Sequence, residues 1–391
     1  MRKYIFIIIV FILLSIFIFT GNKKTISNKK KDKEENRVVF ISYIELGKYI
    51  KNKDVNEGKK NISQMIHNIK DLGFNTIILQ VRSFSDAIYE SNIYPWSSCV
   101  SEKEGLSPGY DILKYFIDIS HDNDIRIHAW LNPYRVRTNS DISTISEGNP
   151  AYLYINTDTL YINNGIYYNP AKEVVVQLIV DGVLEILDNY DVDGICFDDY
   201  FYPDKIVGES DYLEYNKNHP MVSFDDFRLM TVNNMVKKVH DVCKNKNKIF
   251  GISPSGNIKN NYDSIFADVK EWGSSDLYVD YLMPQIYYGF FNESQAFHTV
   301  LREWDDLITN DSVSLIPALA FYKVGVVDQY ARSGSNEWVE NSDIIMREIL
   351  LSRNLRNYDG FALYRYDYLF NSELKTMTTM KEIENMKKIL E

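Results

Sequence analysis

Residues 191–203 read Asp-Val-Asp-Gly-Ile-Cys-Phe-Asp-Asp-Tyr-Phe-Tyr-Pro, and this stretch decides both the fold and the candidate site. Its Val, Ile and Phe residues are typical of a buried β-strand, and the Tyr-Pro pair ends that strand. Successive side chains alternate between the two faces of a strand, so Cys196 and Asp198 share one face and Asp199 begins on the other. The stretch predicts a buried strand that ends in two adjacent carboxylates.

Two carboxylates one residue apart repel each other and raise the pKa of at least one of them. A raised carboxyl pKa is what general acid or base chemistry needs, so Asp198 and Asp199 are candidate catalytic residues. The alternative interpretation is structural, because an aspartate after a strand also caps helices and forms Asx turns. The stretch alone leaves both interpretations open.

Strand and helix patterns alternate along the rest of the chain. Residues 62, 65, 66 and 69 are Ile, Met, Ile and Ile, the spacing of an amphipathic helix that Gly73 closes. Further helices are predicted to start at the Asn-Pro pair 169–170, at Ser223 and at Ser372. The other seven predicted strands are 38–44, 75–84, 125–131, 249–254, 278–288, 314–322 and 360–366. Eight strand–helix units predict an α/β fold, the (β/α)8 TIM barrel, with a lid or small subdomain at 136–169.

The amino terminus predicts a membrane anchor ahead of the barrel. Arg2 and Lys3 precede an uncharged run over residues 4–20, which is long for a signal peptide and short for a membrane span. We expect an uncleaved signal-anchor at 1–20, a charged flexible tether at 21–36 and the barrel domain at 37–391, outside the cytoplasm. Secretion after cleavage is the alternative.

Composition limits the possible partners of the folded part. The net charge of −11 argues against a nucleic-acid partner. Three scattered cysteines are too few for a disulfide framework or a zinc site, and no metal-ligand spacing is present. We therefore expect no cofactor and no metal, and the expected partners are a polysaccharide and a membrane.

In barrels of this type the chemistry lies at the carboxyl ends of the strands. The side chains at these ends are polar, aromatic and acidic, as expected for a site that binds a carbohydrate. His128 has a second interpretation as a core histidine, Arg82 as a counter-ion for Asp198, and Asp367 as a helix cap. The predicted substrate-binding residues are Arg82, Asp86, His128, Trp130, Asn132, Arg135, Tyr200, Ser253, Asn257, Gln285, Tyr287, Arg365 and Asp367, with Tyr322 and Tyr364 at the ends of the last two strands.

The chain resembles glycosyl-hydrolase-like family 10. Besides residues 191–203, the matching blocks are 86–91 (Asp-Ala-Ile-Tyr-Glu-Ser), 95–97 (Pro-Trp-Ser), 108–111 (Pro-Gly-Tyr-Asp), 128–135 (His-Ala-Trp-Leu-Asn-Pro-Tyr-Arg), 251–256 (Gly-Ile-Ser-Pro-Ser-Gly) and 280–287 (Asp-Tyr-Leu-Met-Pro-Gln-Ile-Tyr). The resemblance implies a bacterial, envelope-associated TIM-barrel glycosidase linked to peptidoglycan glycan strands. It also implies a catalytic role for Asp198 and Asp199 and sugar contacts for Asp86, His128, Asn132, Arg135 and Gln285. The family usually has histidine where this chain has Cys196, and the first strand lacks the tryptophan expected at its start.

The predicted reaction is hydrolysis of an O-glycosidic bond. Asp198 would face the anomeric carbon, and Asp199, Asp86 or Asp367 would be the acid. Glycosidase carboxyls lie either about 5–5.5 Å or about 6.5–9.5 Å apart, and a 2-acetamido group of the substrate is an alternative nucleophile. Two other classes remain open, a glycan-binding protein without catalysis and a metal-dependent esterase or deacetylase that uses Asp198, Asp199 and His128.

Overall fold

The computed structural model describes residues 34–203, 209–218 and 221–391. Residues 36–391 form one compact unit. The predicted anchor at 1–20 and nearly all of the predicted tether at 21–36 lie outside the described residues. None of the helices in the described ranges combines the length and the apolar character needed to cross a membrane.

Strands and helices alternate along the described chain. The strands are β1 Asn36–Ile41, β2 Thr76–Arg82, β3 Arg126–Leu131, β4 Arg135–Arg137, β5 Leu160–Ile162, β6 Ile166–Tyr168, β7 Gly194–Phe197, β8 Ile249–Ile252, β9 Tyr281–Leu282, β10 Ser314–Leu315, β11 Ala318–Leu319 and β12 Gly360–Leu363. The α-helices are α1 Tyr43–Tyr49, α2 Val55–Asp71, α3 Ile112–His121, α4 Glu173–Asn189, α5 Glu209–Asn218, α6 Phe224–Asn245, α7 Ile258–Asp263, α8 Val269–Ser274, α9 Phe297–Leu307, α10 Glu337–Glu340, α11 Ile344–Ser352, α12 Tyr366–Phe370 and α13 Met377–Leu390.

Within the described part of the chain, nine strands form one parallel sheet in the order β10-β9-β8-β7-β3-β2-β1-β12-β11. The first and last strands of this order, β10 and β11, are two parts of one segment, 314–319. Ala318 N–H donates to the Pro284 carbonyl on one side, and Ala362 N–H donates to the Pro317 carbonyl on the other, each over 2.9 Å. The sheet therefore curls back on itself, and the predicted parallel α/β architecture is confirmed.

Two separate apolar clusters hold the curled sheet. The larger cluster lies between the sheet and the surrounding helices and includes the outward-facing residues of every long strand. The smaller one fills the inside of the curl and is made of Val38, Phe40, Ile78, Trp130, Cys196, Tyr281, Met283, Ile316, Ala318 and Ala362. This strict division of side chains between two faces follows from the two-residue period of a strand.

A β-bulge near the end of β2 breaks that alternation. Gln80 lies opposite Trp130 on the inner face, but the next paired residues are Arg82 and Leu131, so one extra residue is inserted in β2. Arg82 consequently shares the outer face with Leu131. Its guanidinium packs directly against Gly182 of α4, where a Cβ on residue 182 would lie only 2.4 Å from Nη1, so the guanidinium lies beneath that helix.

Several predicted element boundaries were wrong. The first strand ends at Ile41 rather than at residue 44, because Ser42 and Glu45 form a capping box that starts α1. Helix α4 starts at Glu173 and not at the Asn-Pro pair 169–170, since the side-chain oxygen Oδ1 of Asn169 accepts a hydrogen bond from Ala171 N–H and forms a turn. The final helix starts after Thr376 rather than at Ser372, whereas Ser223 caps α6 as predicted.

The long excursion after β3 carries its own small sheet. Strands β4, β6 and β5 pair in that order and antiparallel. Tyr168 Oη and Ser85 Oγ are 2.6 Å apart, so the small sheet is joined to the loop that follows β2. The excursion therefore lies beside the carboxyl ends of β2 and β3, the edge that we call the mouth of the curled sheet.

Candidate functional site

The two carboxyls that follow β7 turn in different directions at the mouth. Asp198 lies toward β3, where its Oδ2 accepts hydrogen bonds from Trp130 Nε1 at 3.0 Å and from Asn132 Nδ2 at 3.2 Å. Asp199 lies toward β9, where it forms a side-chain hydrogen bond with Gln285. Adjacent positions in the sequence thus serve two sides of one opening.

Asp198 is a buried acid whose charge is only partly compensated. Its side chain is about 4% exposed, and burial, with a contribution from the nearby charge of Asp199, raises its pKa to about 7. Arg135 and the N–H donors of Trp130 and of the Tyr200 backbone act in the opposite direction, because they stabilise the ionised form. Asp198 is therefore close to half-protonated at neutral pH.

Asp199 is partly exposed at the mouth, and loss of solvation also raises its pKa. Its hydrogen bond with Gln285 and the positive charge of Arg135 lower the pKa and limit the rise. Gln285 is oriented for this contact because its Nε2 also donates to the Ser253 carbonyl at 3.0 Å. The two acids interact, so they titrate as a pair that retains one proton up to about neutral pH.

Arg135 is the cation of the site. It is buried, and its guanidinium carbon lies 4.8 Å from the centre of the Phe84 ring and 4.6 Å from that of Tyr200. The Asn132 side-chain carbonyl accepts Arg135 N–H at 2.9 Å, which fixes the turn that brings both residues to the mouth. Two aromatic faces hold the planar cation in place without neutralising it.

Aromatic side chains form the opposite wall of the mouth. Tyr287, Tyr322 and Tyr364 come from the loops after β9, β11 and β12, and their ring centres are 5.7–6.0 Å apart. Phe40 connects this wall to the acidic side, because its ring contacts both Tyr364 and Trp130 at 5.6 Å. The mouth therefore has one acidic side and one aromatic side.

Two predicted site residues lie away from the mouth. Arg82 lies on the outer face, where Nη1 donates to Tyr94 Oη at 2.6 Å, so it is not beside Asp198. His128 lies inside the curl, roughly 13 Å along the strand from Asn132, and its Nδ1 is 3.0 Å from Tyr281 Oη. Burial lowers the pKa of His128 to about 4, so it is a neutral core histidine.

Other predicted residues are engaged in local structure. Asn257 caps α7 through a hydrogen bond from Asn260 N–H. Arg365 forms a buried ion pair with Glu45 of α1, and Asp367 accepts from Tyr49 Oη at 2.7 Å. Asp86 is buried, accepts Phe84 N–H at 3.0 Å and holds the loop after β2, and burial raises its pKa.

The structure thus brings together Asp198, Asp199, Trp130, Asn132, Arg135, Tyr200, Gln285 and Tyr287. Ser253 adjoins this group, and its Oγ has no hydrogen-bond partner among the described residues. Phe84 was not predicted, although its place just after β2 and its aromatic ring are a signal that could have identified it. In the described ranges, no three His, Cys, Asp or Glu side chains lie close enough to hold a metal ion together.

Comparison with solved structures shows the same fold in known glycoside hydrolases. The PgaB (BpsB) glycoside hydrolase domain from Bordetella bronchiseptica matches with a TM-score of 0.60 and 13% identity, over 91% of this chain and 99% of that one. A Group IV chitinase from Ostrinia furnacalis matches with a TM-score of 0.51 and 12% identity, over 91% and 100% of the two chains. At these identities the likeness concerns the fold alone.

Comparison of sequences identifies the family. Glycosyl hydrolase YngK of Bacillus subtilis (strain 168) is 30% identical over 358 residues, which are 85% of this chain and 68% of that protein. Glycosyl hydrolase DigH of Escherichia coli (strain K12) is 30% identical over 334 residues, 78% of this chain and 74% of that protein. A family model described as glycosyl hydrolase-like 10 matches residues 35–336. The chain therefore belongs to the glycosyl hydrolase-like 10 family and is an enzyme of the glycoside hydrolase type.

Proposed function

We propose that this enzyme hydrolyses O-glycosidic bonds in the glycan strands of a bacterial cell wall, at the mouth of an eight-stranded TIM barrel in which β10 and β11 count as one strand. Asp198 and Asp199 are the catalytic pair. The observation that carries the proposal is the buried Asp198 carboxyl, held by Trp130 and Asn132, beside a second, partly exposed carboxyl; burial raises the pKa of Asp198 to about 7.

The pair retains one proton near neutral pH, and this proton is available to the oxygen of the leaving sugar. The reacting form of the pair is the one in which Asp199 carries the proton and Asp198 has lost it, because Asp199 is the more exposed of the two acids and can reach the leaving oxygen. Ionised Asp198, stabilised by the N–H groups of Trp130 and Asn132, supports the positive charge that develops at the anomeric carbon. It does so directly or by orienting the 2-acetamido group of an amino sugar, after which water completes hydrolysis.

The aromatic side of the mouth supports a sugar substrate. Tyr287, Tyr322 and Tyr364 are partly exposed, and their rings can stack on the apolar face of a pyranose while Gln285 and Asn132 form hydrogen bonds with its hydroxyls. The resemblance of the sequence blocks to an envelope-associated family supports the choice of a cell-wall glycan.

We propose further that the enzyme works outside the cytoplasm, held at the membrane by residues 1–20. The support is the uncharged run 4–20 that follows Arg2 and Lys3. Protease treatment of intact spheroplasts tests this, because an external enzyme would be digested while a cytoplasmic marker survives. Survival of the enzyme together with the marker would exclude the external location.

The reaction is tested with the full chain, purified in mild detergent and incubated with peptidoglycan. The glycan is supplied with its stem peptides and after their removal, and the soluble products are identified by mass spectrometry. We expect sugar fragments, with a rate that falls about 10²–10⁴-fold in Asp199→Asn because the proton donor is lost.

The matched control is Asp193→Asn. Asp193 lies at the opposite end of the same strand, where it contacts Ile127 N–H and His121, so its amide variant should keep full activity. Release of fragments by Asp199→Asn at the wild-type rate would contradict the assigned acid. Binding of the glycan without release by the wild type would point to a glycan-binding protein instead.

A further inference from the structure

Four apolar side chains are exposed on the two loops that follow β9 and β11. Phe291 is 65% exposed and Tyr330 is 86% exposed, and Val326 and Val327 lie nearby in the chain at 53% and 49%. Both loops leave the carboxyl ends of their strands, so these side chains lie at the mouth and not at the base of the barrel. Exposed apolar side chains that are grouped on neighbouring loops, unlike single ones, are typical of a binding surface.

The backbone beneath Phe291 is held rigidly although its ring is free. The buried Glu337 carboxylate accepts the N–H groups of Phe290 at 3.0 Å and of Phe291 at 2.8 Å. The backbone of Gly334, from the other loop, packs so closely that a Cβ there would lie 2.2 Å from the Phe291 carbonyl oxygen. The two loops therefore fix the backbone that carries Phe291, which lowers part of the entropy cost of binding to its ring.

Tyr330 is connected to the catalytic mouth by a short chain of polar contacts. Its N–H donates to Asp328 Oδ1 at 3.1 Å, and Asp328 Oδ2 lies 2.7 Å from Lys323 Nζ. Lys323 Nζ also donates to the Tyr287 carbonyl at 2.8 Å. Tyr287 belongs to the aromatic wall and lies close enough to Asp199 for the two groups to interact electrostatically. The Tyr330 backbone is thus tied to the loop that carries the aromatic wall.

We propose that Tyr330 and Phe291 form an outer sugar-binding track, which stacks on sugars of the glycan two or more units away from the bond that is cut. This proposal rests on the proposed function and adds that the enzyme acts within long strands rather than on short fragments. The occupant is a polysaccharide because the two rings lie on loops at the same edge as the catalytic pair and have the exposed polar groups of Glu293 and Arg332 beside them in the chain, which suit hydroxyls.

The test compares a long and a short substrate for the full chain. The long substrate is peptidoglycan glycan strands without stem peptides, and the short one is an aryl glycoside of a single N-acetylated amino sugar. Loss of one stacking contact should lower the ratio of kcat/KM for long over short by roughly two- to tenfold in Tyr330→Ala or Phe291→Ala. The matched control is Leu277→Ala, an exposed side chain ahead of β9 at the opposite end of the barrel, which should leave the ratio unchanged.

The same variants are also tested for binding, by co-sedimentation of Asp199→Asn chains with insoluble peptidoglycan. We expect weaker co-sedimentation when Tyr330→Ala is added and no change with Leu277→Ala. An unchanged ratio together with unchanged binding would overturn the track while leaving the proposed hydrolysis intact. Wild-type chains that bind the glycan through Tyr330 and never cut it would support the track and refute the proposed reaction.

Discussion

Replacement of Trp130 by Phe should extend the activity of the enzyme toward alkaline pH. A carboxyl pair that works as acid and base needs one proton, whichever oxygen carries it, so activity falls when the second proton leaves. The higher pKa of the pair, about 7 for Asp198, therefore sets the basic limb of the pH profile. Trp130 Nε1 donates to Asp198 Oδ2 and favours its ionised form, so removal of this N–H makes the proton harder to lose.

The magnitude follows from the kind of hydrogen bond that is lost. A bond to a charged group contributes about 1.5–3 kcal/mol, and one pH unit corresponds to about 1.4 kcal/mol. Solvent does not weaken this hydrogen bond, because both partners are buried. The basic limb of kcat/KM should therefore move up by roughly one to two pH units in Trp130→Phe, while the smaller ring keeps its packing against Phe40.

The assay is kcat/KM between pH 5 and pH 10 on one soluble glycan, because this parameter reports the free enzyme. Trp272→Phe is the matched control, since it also removes a buried indole N–H, the donor to Asn233, but lies outside the site. Its basic limb should coincide with that of the wild type. A Trp130→Phe profile that is lower at every pH but has the same midpoint would show that Asp198 is not the titrating group.

Three further predictions concern buried groups. Burial beside two other glutamates raises the pKa of Glu348 well above 4.5, so the free energy of unfolding falls as pH rises from 4.5 toward the pKa of the folded state, by about 1.4 kcal/mol per pH unit. Urea unfolding should show that Glu348→Gln stabilises the enzyme at pH 8 and not at pH 4.5. A gain of equal size at both pH values would refute this. Gly251→Ala would place its Cβ 2.1 Å from the Tyr281 ring, so thermal unfolding should show that the enzyme loses about 1–3 kcal/mol of stability. Adding Tyr281→Leu should restore part of this loss, and an unchanged melting temperature in Gly251→Ala would contradict the crowding. Cys196→Ala should change kcat/KM by less than about twofold, about 0.4 kcal/mol, because the thiol is fully buried, and a large loss would place it in the site.

The alternation of strands and helices was predictable because it depends on local patterns. All eight predicted strands of the parallel sheet are present, with the seventh split in two by Pro317. Hydrophobic periodicity identifies the elements themselves, but their ends depend on individual hydrogen bonds. The Ser42–Glu45 capping box ended the first strand earlier than predicted, and the turn at Asn169 moved a helix start by several residues. Neither contact is visible as periodicity.

The acidic side of the mouth was predictable for the same reason. Asp198, Trp130 and Asn132 follow the alternation of β7 and β3, so the inner-face assignment from the sequence places them together. The prediction that Arg82 lies at the mouth was wrong because a bulge shifts the alternation by one residue, and no residue type in β2 signals the insertion. The prediction that His128 binds the substrate was wrong for a different reason, since His128 is on the inner face but too deep in the curl to reach the mouth.

The cysteine at position 196 lies beneath the site and contributes no charge to it. Cys196 lies in the inner apolar cluster, two residues before Asp198, and burial raises its pKa to about 12, so the thiol is neutral. A neutral, weakly polar neighbour does little to stabilise a carboxylate, so the charge of Asp198 depends on Trp130, Asn132 and Arg135. The Asp198 pKa of about 7 therefore reflects burial that these groups offset only in part, and with it the pair still holds a proton near neutral pH.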